Sequence, residues 1–87
     1  MPCSYTIDLA RSLVLSRGWG VLIDSELLAH VRALTIDPRF GRNFHQLADL
    51  RDVVDVEVAA STIREMARLN PYGDGSRRAV VVTSDLL

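Results

Sequence analysis

What the chain has little of narrows it first. There is no lysine: all ten cations are arginine. That skew reads as a coding bias rather than a demand for guanidinium chemistry. Cys3 is the single cysteine, which excludes an intrachain disulfide framework and fits a reducing cytoplasm. No apolar run approaches the roughly 18 residues of a membrane span. Met1-Pro2-Cys3-Ser4-Tyr5 has neither the basic nor the apolar block of a signal peptide. An excess of charge of one sign is missing too. Ten basic residues against eleven acidic ones leave a net charge of −1, without the electrostatic footprint of nucleic-acid or membrane binding. The expectation is a soluble cytoplasmic protein with neither nucleic acid nor membrane as partner.

What is present is apolar surface. Hydrophobic residues make up 48 % of the 87, and mean hydropathy is +0.15. A chain of this length reads as one domain, residues 1–87, which buries roughly 60–65 % of its unfolded surface. The excess is more easily buried between two subunits than inside one.

Periodicity lays out the elements. Tyr5, Ile7 and Leu9 alternate with Thr6 and Asp8 as a half-buried strand. Arg11-Ser12 turns tightly into a second strand, Leu13 to Arg17, which Gly18-Trp19-Gly20 closes with a bend or bulge that aims the tryptophan. Asp24 or Ser25 caps a helix to about residue 35 with Leu27, Leu28, Val31 and Leu34 on one face, and Asp37-Pro38 ends it. Phe44 to Leu50 reads as a third strand and Val53 to Val58 as an extended connection or a short extension of it. A second helix, about residues 60–69, carries Ile63, Met66 and Ala67 as its buried stripe, with Thr62 and Glu65 as a capping box or Ser61 as the cap. Asn70 to Ser76 is dense in turn formers. The last strand, Arg77 to Thr83, is apolar enough to expect burial on both faces and pairing along both edges. Only Ser84-Asp85-Leu86-Leu87 follow it, with no helix to cover it. The class is α/β at the α+β boundary, ordered β-β-α-β-α-β: a hairpin joined by crossovers to a mostly parallel sheet.

That order, together with Gly20-Val21-Leu22-Ile23-Asp24-Ser25-Glu26-Leu27-Leu28, Asp37-Pro38-Arg39-Phe40 and Gln46-Leu47-Ala48-Asp49-Leu50-Arg51-Asp52-Val53, resembles the STAS domain of bacterial anti-sigma-factor antagonists, and more closely a branch of small STAS-like proteins. The resemblance implies a non-enzymatic switch or binding module. A full STAS-like domain continues with another helix, strand and helix, so the resemblance also implies a fold shortened at its C-terminus. The family's phosphorylatable serine falls at about Ala59 or Ala60, leaving Ser61 and Thr62 as the nearest hydroxyls. A phosphate there would sit on a helix N-terminus, although Asp52, Asp55 and Glu57 just upstream would repel it. The plainer reading of both residues is N-capping.

Other groupings carry less chemistry. Asp49, Asp52, Asp55 and Glu57 are placed beyond a strand's carboxyl end, where a weak Mg²⁺ site is conceivable; without fixed ligand spacing they read as a solvated loop edge. His30 and His45 lie in no catalytic or metal-ligand arrangement and read as boundary residues. Gly73-Asp74-Gly75 is not followed by a helix, so it is no phosphate loop. Trp19 and Tyr72 sit in glycine-bounded segments suited to anchoring an interface or lining a pocket, although the plainer reading is that Trp19, Phe40, Phe44 and Tyr72 cap the two ends of a small core; Arg77-Arg78 flank the last strand either as gatekeepers or as partners for acids of another subunit.

The reading is therefore a non-enzymatic protein-interaction or regulatory module that works as a homodimer, with a regulatory protein as a further partner. Its interface is expected at Trp19, Tyr72, Arg77, Arg78, Val80 and Val82; no catalytic residue, cofactor or metal is expected. The alternatives are a small-molecule or lipid-binding domain with a pocket near Trp19, Phe40 and Tyr72, and a metal-assisted enzyme using Asp49, Asp52 and Asp55.

Overall fold

The computed structural model describes residues 3–83, so the tail 84–87 lies outside the described residues. The elements follow the expected order: β1 (Cys3–Asp8), β2 (Leu13–Ile23), α1 (Asp24–Ile36), β3 (His45–Glu57), α2 (Ala60–Leu69) and β4 (Arg78–Val81). The four strands form one sheet in the order β1-β2-β3-β4. β1 pairs antiparallel with β2, and β2 with β3 and β3 with β4 are parallel. Successive parallel strands are neighbours and the crossovers step in one direction, so both helices lie on the same face. Among the described residues no layer lies over the opposite face.

Alternation along β2 records this arrangement. Val14, Ser16, Gly18 and Leu22 are buried under the helices, whereas Leu15, Arg17, Val21 and Ile23 are exposed on the open side. The core joins Val14, Leu34, Phe44 and Tyr72, with Tyr5, Ile7 and Phe40 packed against it. Phe40 meets both Phe44 and Tyr72 edge to face, at centroid distances of 5.8 and 5.1 Å.

Several expectations are corrected. Gly18-Trp19-Gly20 does not close β2. The strand runs on to Ile23, and the glycines serve two register shifts against β3, between Arg17 and Trp19 and between Gly20 and Val21. Gly20 takes φ +66°, a left-handed conformation cheap only for glycine. A Cβ on Gly18 would lie 3.0 Å from Leu50 Cδ2; the bare backbone lets β3's side chains close over β2. The extra residues fall on β3, which is therefore one bulged strand from His45 to Glu57 rather than a strand and an extension.

Neither helix uses a side-chain N-cap. Ile23 and Ala59 occupy the cap positions. Asp24 instead accepts the Ala59 N–H at 2.9 Å, tying the start of α1 to that of α2. Thr62 and Glu65 form no capping box: Thr62 faces the core, and Glu65 pairs with Arg68. This rotates the inward stripe of α2 away from expectation, leaving Ile63 55 % exposed and Ala67 exposed while Met66 and Leu69 turn inward. β4 is short and exposed throughout, with Val80 at 60 % and Val81 at 39 %, and it pairs along one edge only. Its apolar sequence thus reports an uncovered edge strand, not a strand buried on both faces. Among the described residues no helix is long and apolar enough to cross a membrane.

Candidate functional site

Two surfaces are built by this architecture, one on each side of the sheet. On the open side the parallel register sets Leu15 beside Leu47 and Leu47 beside Ala79, with Thr6 of β1 completing the row. The next row is Ser4, Arg17, Asp49 and Val81. Val21 and Ile23 continue the apolar surface along β2. The apolar groups are interleaved with two ion pairs, Arg17–Asp52 and Arg51–Asp49, each 2.8 Å. Two Arg51 donors and its backbone N–H hold the Asp49 carboxyl down to about 2. Trp19 lies on this face, with the Arg17 guanidinium 5.0 Å above its ring.

On the helix side, β2, β3 and β4 meet α1 and α2 around a cleft of about 310 Å³ lined by His30, Leu34, Gln46, Met66, Tyr72 and Arg78. A second cleft of about 240 Å³ shares His30, Gln46, Met66 and Arg78 and extends past Leu22 and Leu50 to Val80. A chain of hydrogen bonds crosses the floor. Gln46 Nε2 donates to Ser16 Oγ at 3.0 Å, Ser16 Oγ lies 3.3 Å from His30 Nε2, and Arg78 Nε donates to Gln46 Oε1 at 3.0 Å. The serine hydroxyl accepts from Gln46 and shares a further hydrogen bond with the His30 ring. Burial pushes the His30 pKa below its ordinary value, so the ring is neutral at pH 7. The Arg78 guanidinium stacks 4.8 Å over the Tyr72 ring.

The structure disperses the residues singled out from the sequence. Tyr72 is not a loop anchor at a surface: it is 5 % exposed in the core, because Phe40 closes on its edge and Arg78 covers its face. Burial raises its phenol to about 12. Phe40 and Tyr72 do meet, but Trp19 is on the opposite face of the sheet, so those three frame no common pocket. Arg77 is exposed just before β4, its backbone N–H donating to His45 Nδ1. Val80 faces the helix-side cleft, and Val82 lies beyond the strand. Ser61 is exposed in the first turn of α2, while Thr62 is buried and closed to modification. The acidic residues belong to β3 itself, not to a loop beyond it, and two of them are engaged by arginines. Among the described residues no three His, Cys, Asp or Glu side chains come together as metal ligands.

Sequence reasoning missed Ser16, Gln46 and the role of His30. Ser16 and Gln46 carry a weak signal, a polar residue at an inward position of an otherwise apolar strand. Comparisons with known protein families, curated proteins and solved structures return no match.

Proposed function

We propose that this chain is a non-enzymatic interaction module that self-associates as a two-fold homodimer through the open face of its sheet. The observation that carries the reading is the row Leu15–Leu47–Ala79 with Val21, Ile23 and Val81 on a face that no helix covers among the described residues. Large apolar side chains exposed together on one face mark an interaction surface. A second copy suits it because the face carries both signs, Arg17 and Arg51 beside Asp49 and Asp52. In an isologous contact each arginine can meet the partner's carboxylate. Two such faces pack as in a β-sandwich, roughly 10 Å apart.

The absence of catalysis in this reading rests on Ser16, whose hydroxyl meets the His30 ring. It is 8 % exposed and its oxygen already accepts from Gln46, so it is poorly placed as a nucleophile. Size exclusion with light scattering tests the proposal. A mass twice the 9.7 kDa of the chain at micromolar concentration supports it, and a clean monomer overturns it.

A further inference from the structure

We infer that the helix-side cleft is a binding site for a small monocarboxylate with an apolar tail, anchored by Arg78. The site is independent of the sheet face on which the homodimer is argued.

The cation is held in place before any ligand arrives. Arg78 Nε is committed to Gln46 Oε1, and the guanidinium plane rests on the Tyr72 ring. That leaves its Nη groups without a carboxylate partner among the described residues. Arg39, Arg51 and Arg68, by contrast, are each closed on a neighbouring acid. Gln46 spends one amide proton on Ser16 and keeps a second for a ligand in the cleft it lines. A planar guanidinium with a flanking amide matches the two oxygens of a carboxylate. One fixed cation balances one negative charge, which disfavours a dianionic phosphate. His30 is neutral and brings no second positive charge.

The rest of the lining selects the tail. Val31, Leu34, Met66 and Ala67 line the cleft behind the polar groups, and Met66 adapts readily to varied apolar shapes. About 310 Å³ is at the small end of the roughly 300–1,000 Å³ range of ligand pockets, which fits a short carboxylate rather than a long-chain lipid.

The test is an amide and side-chain NMR titration of the full chain with sodium hexanoate, hexanamide and inorganic phosphate. Hexanoate is expected to shift the Gln46 side-chain amide and the Arg78 Nε–H, and to bind about tenfold or more tighter than hexanamide. Arg78→Gln is expected to lose that margin, and Arg11→Gln, on an exposed turn, to keep it. Should Arg78→Gln fail to fold, Ala67→Phe places a ring at the cleft from an exposed helix position and is expected to abolish binding in a folded chain. Equal binding of hexanoate and hexanamide, preference for phosphate, or no shift at these groups overturns the inference.

Discussion

Ser16 of β2 and His30 of α1 meet beneath the first helix, with Oγ and Nε2 3.3 Å apart, and the Tyr5 ring stands edge-on to the imidazole at 5.5 Å. This contact gives α1 a side-chain attachment to the sheet, alongside the Tyr5 hydroxyl at the Ala33 carbonyl. It also makes the docking of the helix sensitive to the proton on one ring.

The first expectation follows from that proton. Burial lowers the His30 pKa from its ordinary 6.5, so the unfolded chain binds the proton more readily than the folded one. Its contribution to stability is therefore complete above pH 6.5 and declines as pH falls through the folded-state value. The Asp37 and Asp49 carboxyls, held low by Arg39 and Arg51 respectively, act at more acidic pH. Urea unfolding at pH 7.5 and 5.5 should show a loss in the wild type that is smaller in His30→Gln. An equal loss in both would remove His30 as its source.

How much of this was legible in the sequence depends on the range of the contacts. The β-β-α-β-α-β order follows from local periodicity and turn residues, and the structure reproduces it. A bulge at Gly18-Trp19-Gly20 was legible, but the continuation of β2 past it to Ile23 was not, because the two glycines look like strand breakers until β3 is placed against them. The rotation of α2 was hidden because Thr62 is polar and Ile63 apolar, whereas packing beside α1 buries the threonine. The polar floor of the cleft joins residues 14, 30 and 32 positions apart, a separation at which single-chain patterning carries no signal. The apolar character of β4 was legible, but whether it faced a core or solvent was not.

Gly18 gives the second expectation. Its missing side chain is filled by Leu50, Val53 and Leu22, 3.0, 3.3 and 3.4 Å from where a Cβ would stand. Gly18→Ala should cost about 1–3 kcal/mol through overpacking, read as a lower urea midpoint. An unchanged midpoint would show that β3 can move away.

Two tyrosines should respond in opposite directions. The Tyr72 hydroxyl is buried with no hydrogen-bond partner among the described residues, so Tyr72→Phe should be neutral or stabilising by up to about 1 kcal/mol. The Tyr5 hydroxyl donates to Asp37 at 2.8 Å, so Tyr5→Phe should lower stability. Denaturation of the pair decides it, and a destabilised Tyr72→Phe would reveal an acceptor for that phenol.

Asp24 links the two helix starts through the Ala59 N–H. Asp24→Ala should cost about 1 kcal/mol and speed hydrogen exchange at Ala59, while Asp24→Asn keeps an acceptor oxygen and should be milder. Unaltered exchange at Ala59 in the alanine variant would contradict this role.

The central claim is that the open sheet face holds a second copy of the chain, and Leu47 stands in the middle of its apolar row. The decisive measurement is the light-scattering mass of wild type and Leu47→Asp at the same micromolar concentration, with circular dichroism confirming that both are folded. The wild type is expected to be dimeric and the variant monomeric and folded. A monomeric wild type, or a variant that remains dimeric, would contradict it.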